Sequence, residues 1–535
     1  MHPVAAFSYD GDGGGGGDPG TAVRLLAEQG LEVAAEERVT RTLLDTFDGR
    51  VHGAGLRLEL RRSTATELVL TGKGAIPVRA QAAHVPRFAT ELPSGAFRAR
   101  LAPVLDVRAL LRRLTLSARE SAASKRDRSG KAMVTVRVLH HLTVEGGEPA
   151  GGGEAVTAGE VGGAALPRWC VEVEELAGYP KPAARLRDAL AELGLQRLLG
   201  DALDAAATAT SIEAGGFSGS PTIDLDPRVP AIDGYAAVLA HLADAVDANW
   251  QGTIEDIDPE FLHDLRVALR RTRSVLGQAR RVLPPNALDR YGNGFKRLAA
   301  ATGPARDLDV NVMEWDSYVA PLAPESVASL GLVLDHLEKQ RRAAHTSLAK
   351  TLRAASSRRL MASWHEWLTD PRSPPRSGGE ANPDADRPLG PVVAERIAKA
   401  QERVLRRGRT IGPDSPAEAL HDLRKDAKKL RYLLECFGGL LPAASRKAFV
   451  QRLKALQDNL GEHQDAEVHV TLLREISGEL QTRVSADTLL AMGQLIEHLE
   501  QRRLAARDEF ARRFAAYDTK RTYRALDDVL AGLVA

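Results

Sequence analysis

The chain has 535 residues, of which 44% are hydrophobic, 27% charged and 4% aromatic; this suits several domain-sized cores and excludes a collagen, a wholly disordered chain and a disulfide scaffold. Its two cysteines, Cys170 and Cys436, lie far apart in sequence, which offers neither an oxidised framework nor a thiolate metal cluster and points to a reducing, cytoplasmic setting. The 72 Lys and Arg face 71 Asp and Glu, and from position 221 onward 46 face 44, so a polyanionic partner must be recognised by how the bases are arranged, not by bulk charge.

Residues 1–20, with the oligoglycine run Gly13–Gly17, read as a flexible tail. They carry no basic stretch followed by an apolar run, so no secretory signal is expected. No segment approaches the roughly 18 consecutive apolar residues of a membrane span, and no membrane partner is expected. From 21 to 204 apolar residues recur at every second position in Gly55–Arg62, Lys131–Val138 and Trp169–Glu175, the pattern of strands with one buried and one charged face. A Gly-rich loop at 146–163 interrupts them, a helix carrying Leu186, Leu190 and Leu193 follows, and 205–227 reads as a linker.

Beyond the linker, 228–535 reads as amphipathic helices. A Pro/Gly/Ser-rich break at 371–390 splits this region into halves of about 228–370 and 391–535. The halves repeat one another. His263-Asp-Leu-Arg266 matches His421-Asp-Leu-Arg424 without a gap, Phe295–Leu298 meets Leu453–Leu456, Gly303 meets Gly461, and Asp307–Val310 meets Asp465–Val468, all at one offset. Further on, His336–Arg342 resembles His498–Arg503.

At 100° per residue, Arg266, Arg270 and Arg273 fall within about 60° of one another beside the stripe of Leu265, Leu269 and Leu276. Arg424, Lys428 and Arg431 repeat the stripe, flanked by Lys425 and Lys429. Like charges at three- and four-residue spacing repel by a few tenths of a kcal/mol per pair, a cost that a bound polyanion offsets. The alternative is a solvated cationic face. Arg presents a planar fork to phosphate oxygens and Lys a point charge. His263 and His421 serve either as donors or as packing residues. Asp307, Asp309, Asp465 and Glu467 read as helix-start or intrahelical salt-bridge residues, with a metal site the lesser alternative.

These residues resemble the CHAD domain: His-Asp-Leu-Arg opens a basic helix in each half, and Gly303-Pro-Ala-Arg306-Asp307-Leu-Asp309-Val follows in the first. The resemblance implies an all-α domain of two pseudo-twofold-related four-helix bundles that binds inorganic polyphosphate. By it, His263, Arg266, Arg270, Arg273, His421, Arg424, Lys425, Lys428 and Arg431 are ligand contacts, with Lys296, Lys454, Arg341, Arg342, Arg502 and Arg503 as a second tier. No cofactor is implied for that binding. Polyphosphate granules and polyphosphate-metabolising enzymes are the implied surroundings.

The region 21–204 resembles the CYTH domain through Thr46-Phe47-Asp48, Leu56–Arg62 and Val171–Glu174. That implies an α+β domain built on an antiparallel β-barrel of the triphosphate-tunnel type, with inward bases for phosphates and inward acids for magnesium or manganese. The family opens on a Glu-x-Glu-x-Lys strand, whereas this chain has Val4-Ala-Ala-Phe-Ser-Tyr9. Arg57, Arg61, Lys73, Glu172 and Glu174 are what remains of an anion or metal site. Gly72-Lys73-Gly74 has no P-loop frame around it. The domain is therefore expected to be a degenerate scaffold or weak anion binder, and no catalytic residue is assigned. Metal-dependent triphosphate or polyphosphate hydrolysis through this domain is the alternative reading. RNA or DNA binding is a third, disfavoured because the basic segments lack interleaved aromatics apart from Tyr432.

Overall fold

The computed structural model describes residues 3–10, 18–72, 75–147, 156–157, 166–176, 179–210, 223–372 and 382–534. Lys73 and the run Gly13–Gly17 lie outside them. The chain divides into two compact units, Met1–Ser218 and Gly219–Ala535.

The first unit carries eight principal strands, β1 (Pro3–Asp10), β2 (Glu37–Asp45), β3 (Leu56–Arg62), β4 (Thr66–Gly72), β5 (Ala75–Gln81), β6 (Leu111–Arg126), β7 (Ala132–Gly146) and β8 (Trp169–Leu176). They pair antiparallel in the order β1-β8-β7-β6-β2-β3-β4-β5, with the short strand Gln196–Arg197 outside β1. The expected tail is thus corrected: residues 3–10 are a sheet strand, Phe7 facing Val173 and Tyr9 facing Val171, and a helix starts at Pro19. The helix Ala202–Ala209 likewise carries this unit past the expected boundary at 204.

One sheet face is apolar. Leu58, Leu60, Leu68 and Leu70 pack with Phe97 and Leu101 of the helix Ala96–Leu105. Val134, Val136, Val138, Val171 and Val173 pack with Leu26, Leu186 and Leu190 of two further helices. Each such fully buried side chain contributes roughly 1.5–3 kcal/mol. The other face carries the alternating charges, and it is buried too. Arg79 on the last strand reaches Glu174 on β8 at 3.2 Å, so the sheet curls until strands near its opposite ends share a charged interior. No strand pairing joins those ends among the described residues.

The second unit is helical: α1 (Ala231–Ile254), α2 (Pro259–Gln278), α3 (Pro285–Ala301), α4 (Gly303–Met313), α5 (Gly331–Arg353), α6 (Ala355–Thr369), α7 (Leu389–Arg409), α8 (Ala417–Cys436), α9 (Ala443–Leu480), α10 (Ala486–Tyr517) and α11 (Lys520–Val534), with short helices at Trp315–Val319 and Pro324–Ser329. The second half begins at Leu389, slightly before the expected 391. The starts of α7, α8 and α9 each fall 158 residues after those of α1, α2 and α3. Backbone bonds repeat the relation: Ala231 N–H donates to the Arg387 carbonyl at 2.8 Å, and Leu389 N–H donates to the Val229 carbonyl at 2.9 Å.

The halves differ where the sequence says they should. Pro304 opens α4 and ends α3, whereas its counterpart is Glu462, and α9 runs unbroken for 38 residues. The entry to α2 is set by Asp258, whose side chain accepts from the N–H groups of Glu260 and Phe261 at 3.0 and 3.2 Å, with Pro259 next. Phe261, Leu265, Leu269 and Leu276 form the buried stripe of α2, and Leu423, Leu430 and Leu434 that of α8. Trp315, Leu330 and Leu337 pack against Leu473, Ile476 and Met492, joining the halves through a second apolar cluster. No helix among the described residues is long and apolar enough to cross a membrane. Both cysteines are buried and unpaired.

Candidate functional site

In the first unit, Arg41 on β2 is 5% exposed. Its guanidinium donates to Glu59 at 2.8 and 3.0 Å, to Glu172 at 2.7 Å and to Asp201 at 2.9 Å. The remaining interior charges are paired in the same manner. Arg57 holds Asp201 at 2.8 Å and Asp204 at 2.9 Å, Arg61 binds Glu120, and Arg137 holds Glu174 at 3.0 Å.

Burial raises the Glu59 and Asp201 carboxyls, but Arg41 and Arg57 together more than offset it and both stay below the ordinary carboxylate range. The structure places Arg57, Arg61, Glu172 and Glu174 of the expected residual site in this interior, each paired with a charged neighbour. Divalent metal does not fit here, because the inward carboxylate oxygens are already held by guanidinium groups. Arg41, Arg137, Glu120 and Asp201 had not been singled out. The alternation in Arg38–Leu44 and Ala132–Val138 marks two of their strands, but pairing across a curled sheet is not visible in spacing.

In the helical unit, α2, α8, α9 and α10 enclose a cavity of about 570 Å³. Arg270 and Arg271 of α2, Arg424, Lys428 and Arg431 of α8, and Arg502 of α10 line it. Glu314, Glu435, Asp458, Glu462 and Asp465 line it too, so six cations meet five carboxylates. Four of those cations are engaged: Arg424 with Asp465 at 2.9 Å, Arg431 with Glu435 at 2.6 Å, Arg271 with Glu435 at 2.8 Å, and Arg502 with Glu462 at 3.1 Å.

Arg270 and Lys428 are the remaining two, equivalent positions of the two repeats, and neither has a carboxylate partner among the described residues. Burial first, then Arg424 and Arg270, push the Lys428 ammonium down to about 8. The lysine thus stays charged at neutral pH and loses its proton in mild alkali. Anion affinity is expected to fall as pH rises through about 8, and Lys428→Arg should remove that fall. Binding titrations from neutral pH into this range check it; a fall that persists in Lys428→Arg would assign it to another group.

Glycines lie beside two of the guanidinium groups at matching positions, with room for a Cβ at ordinary contact distance. A Cβ on Gly303 would stand 3.4 Å from Arg266 Nη1, and one on Gly461 would stand 3.9 Å from Arg424 Nη2. Arg266 sits near Asp307 at 3.7 Å, outside the cavity lining, and burial lowers its pKa.

Other expected contacts are placed elsewhere. His263 lines this cavity, but His421 lines a second one of about 560 Å³ bounded by Asp307, Glu418, Glu467 and Glu475 and by no Lys or Arg. The two basic stripes therefore do not build two equal sites. Arg273, Lys296 and Lys454 are exposed and outside both cavities. Lys425 pairs with Asp422 at 3.3 Å, Arg342 with Glu338 at 3.4 Å and Arg503 with Glu500 at 2.7 Å.

Arg341 is committed to Asp309 at 2.7 Å and Asp256 at 2.9 Å. Asp307, Asp309 and Asp465 thus pair across helices, not within them. Gln457 and Asp458, both lining the first cavity, had not been anticipated. They replace Ala299 and Ala300 of the first repeat, and that mismatch between otherwise matching repeats is the signal that could have found them.

A family model described as the CHAD domain matches residues 237–474. Two curated Mycobacterium tuberculosis proteins, both described as uncharacterized and from strains CDC 1551 and H37Rv, are 28% identical over 248 residues. The match covers 45% of this chain, which spans about half the length of those relatives, 45% of each. Among solved structures, the CHAD domain from the plant Ricinus communis is 25% identical with a TM-score of 0.47, covering 56% of this chain and 96% of that one. PptA from Streptomyces chartreusis is 17% identical with a TM-score of 0.41, covering 54% of this chain and 99% of that one.

Proposed function

Residues 237–474 form a CHAD domain, a family associated with polyphosphate binding, and from that premise we propose that this protein binds inorganic polyphosphate in the cavity between α2, α8, α9 and α10. The observation that carries this reading is the pair Arg270 and Lys428, two half-buried cations at equivalent repeat positions, neither with a salt-bridge partner among the described residues. A phosphate chain supplies the missing charge, and Arg424, Arg431 and Arg502 extend the donor surface on either side. Two pseudo-twofold-related four-helix bundles are the arrangement we infer from the shared 158-residue spacing and the reciprocal backbone bonds.

Binding is read as non-catalytic, in the cytoplasm and on polyphosphate granules or with polyphosphate-metabolising enzymes. The first unit is read as a degenerate CYTH-like scaffold, since its inward acids are held by arginines. Displacing phosphate counterions makes such binding salt-dependent: six to ten phosphate contacts cost roughly 10³–10⁵-fold in affinity between 50 and 200 mM salt on the duplex-DNA scale. Titrating labelled long-chain polyphosphate into the full chain across that range, with single-stranded RNA as competitor, tests the reading. Steep salt dependence with little competition is expected; salt-insensitive affinity, or displacement by equimolar RNA, would sink it.

A further inference from the structure

Gln457 on α9 is 8% exposed and lines the basic cavity, yet neither its Nε2 nor its Oε1 has a hydrogen-bond partner among the described residues. A buried amide left this way costs about as much as the bonds it lacks, so the cavity is shaped for a ligand that both accepts and donates. A phosphate chain only accepts. It would satisfy Nε2, leave Oε1 unmet, and lie beside Asp458 and Glu462, one helical turn apart on the same α9 face. Among the described residues neither carboxylate is fully engaged: Glu462 is held by the half-exposed Arg502, and Asp458 acts on Arg431 through space.

We propose that the cavity takes polyphosphate as its magnesium complex, the cation standing between the phosphate chain and the α9 face that carries Gln457, Asp458 and Glu462. This rests on the polyphosphate reading and specifies the form in which the ligand is bound. Among the described residues no group of three or more His, Cys, Asp or Glu could hold a metal ion by itself, so the cation arrives with the chain. Magnesium suits that role, because it keeps several waters and is usually held by one or two carboxylates together with substrate phosphates. Its waters donate to Gln457 Oε1 and to the two carboxylates, while the ion itself binds phosphate oxygens. The charge balance also closes: six cations against five carboxylates leave little net charge for a bare polyanion.

The test measures affinity of the full chain for long-chain polyphosphate in EDTA and in millimolar magnesium at constant ionic strength. Magnesium that only masks phosphate charge weakens binding to a basic surface, so the sign of the change is diagnostic. The expected result is about tenfold tighter binding with magnesium, and loss of that gain in Asp458→Asn/Glu462→Gln. Equal or weaker binding with magnesium, or a gain that persists in the double variant, overturns the proposal while leaving polyphosphate binding intact. Absence of binding under both conditions overturns the polyphosphate reading beneath it.

Discussion

Replacing Arg270 and Lys428 together by glutamine is expected to abolish most polyphosphate binding while the protein stays folded. Hydrogen bonds to charged groups are worth about 1.5–3 kcal/mol each, so losing two corresponds to roughly 10²–10⁴-fold in affinity. The fold should not suffer. Neither side chain makes a salt bridge among the described residues, and each sits in a cluster of like charge whose repulsion the substitutions relieve. The double variant should therefore melt at the wild-type temperature or slightly above it. Lys296→Gln/Lys454→Gln provides the comparison, because those lysines are exposed and outside the cavity; that variant should bind as wild type does. An affinity loss confined to the lysine comparison, with the cavity variant unaffected, would place the ligand elsewhere.

Arg41→Leu is expected to destabilise the N-terminal unit by about 3–5 kcal/mol, the range for removing one partner of a buried charge pair. It leaves Glu59 and Glu172 buried beside an apolar side chain, while Arg57 keeps Asp201 at 2.8 Å. The pH dependence should change sign as well. In the wild type, Glu59 and Asp201 are held below the usual range, so their contribution is present above about pH 4 and is lost as pH falls below it. Without Arg41, burial raises the Glu59 carboxyl above its unfolded value while Arg57 still holds Asp201, and stability falls as pH rises through the raised value.

Calorimetric melting of the two proteins at pH 5 and 7 checks both statements. A divalent cation should raise the melting temperature of the first unit in Arg41→Leu and not in the wild type, because only the variant leaves Glu59 and Glu172 without the Arg41 guanidinium between them. If calcium or magnesium stabilised the wild-type unit equally, Arg41 would not occupy the cation's place.

These two sites were legible in the sequence to different degrees. The basic cavity was half visible. A helix displays its period, so Arg270 and Lys428 could be put beside a buried stripe, and the repeat put them at equivalent positions. Which bases stay unpaired was not visible, because Asp465, Glu462 and Glu435 reach them from other helices or from a turn away. Arg341 shows the limit plainly: the CHAD resemblance implied a ligand contact there, but Asp309 and Asp256 take it into the packing. In the first unit, strand alternation gave the two faces of Leu56–Arg62. It could not say that the charged face closes over itself, since the partners of Arg41 lie 18, 131 and 160 residues away along the chain.

The claim that polyphosphate occupies the cavity is tested most directly by lysine footprinting. Lys428, with its ammonium pushed down to about 8, should acylate faster than ordinary lysines in the free protein. Saturating polyphosphate should protect it while exposed Lys296 and Lys454 continue to react. Protection of Lys428 alone among the three is the predicted result; full reactivity of Lys428 at saturating polyphosphate would contradict it.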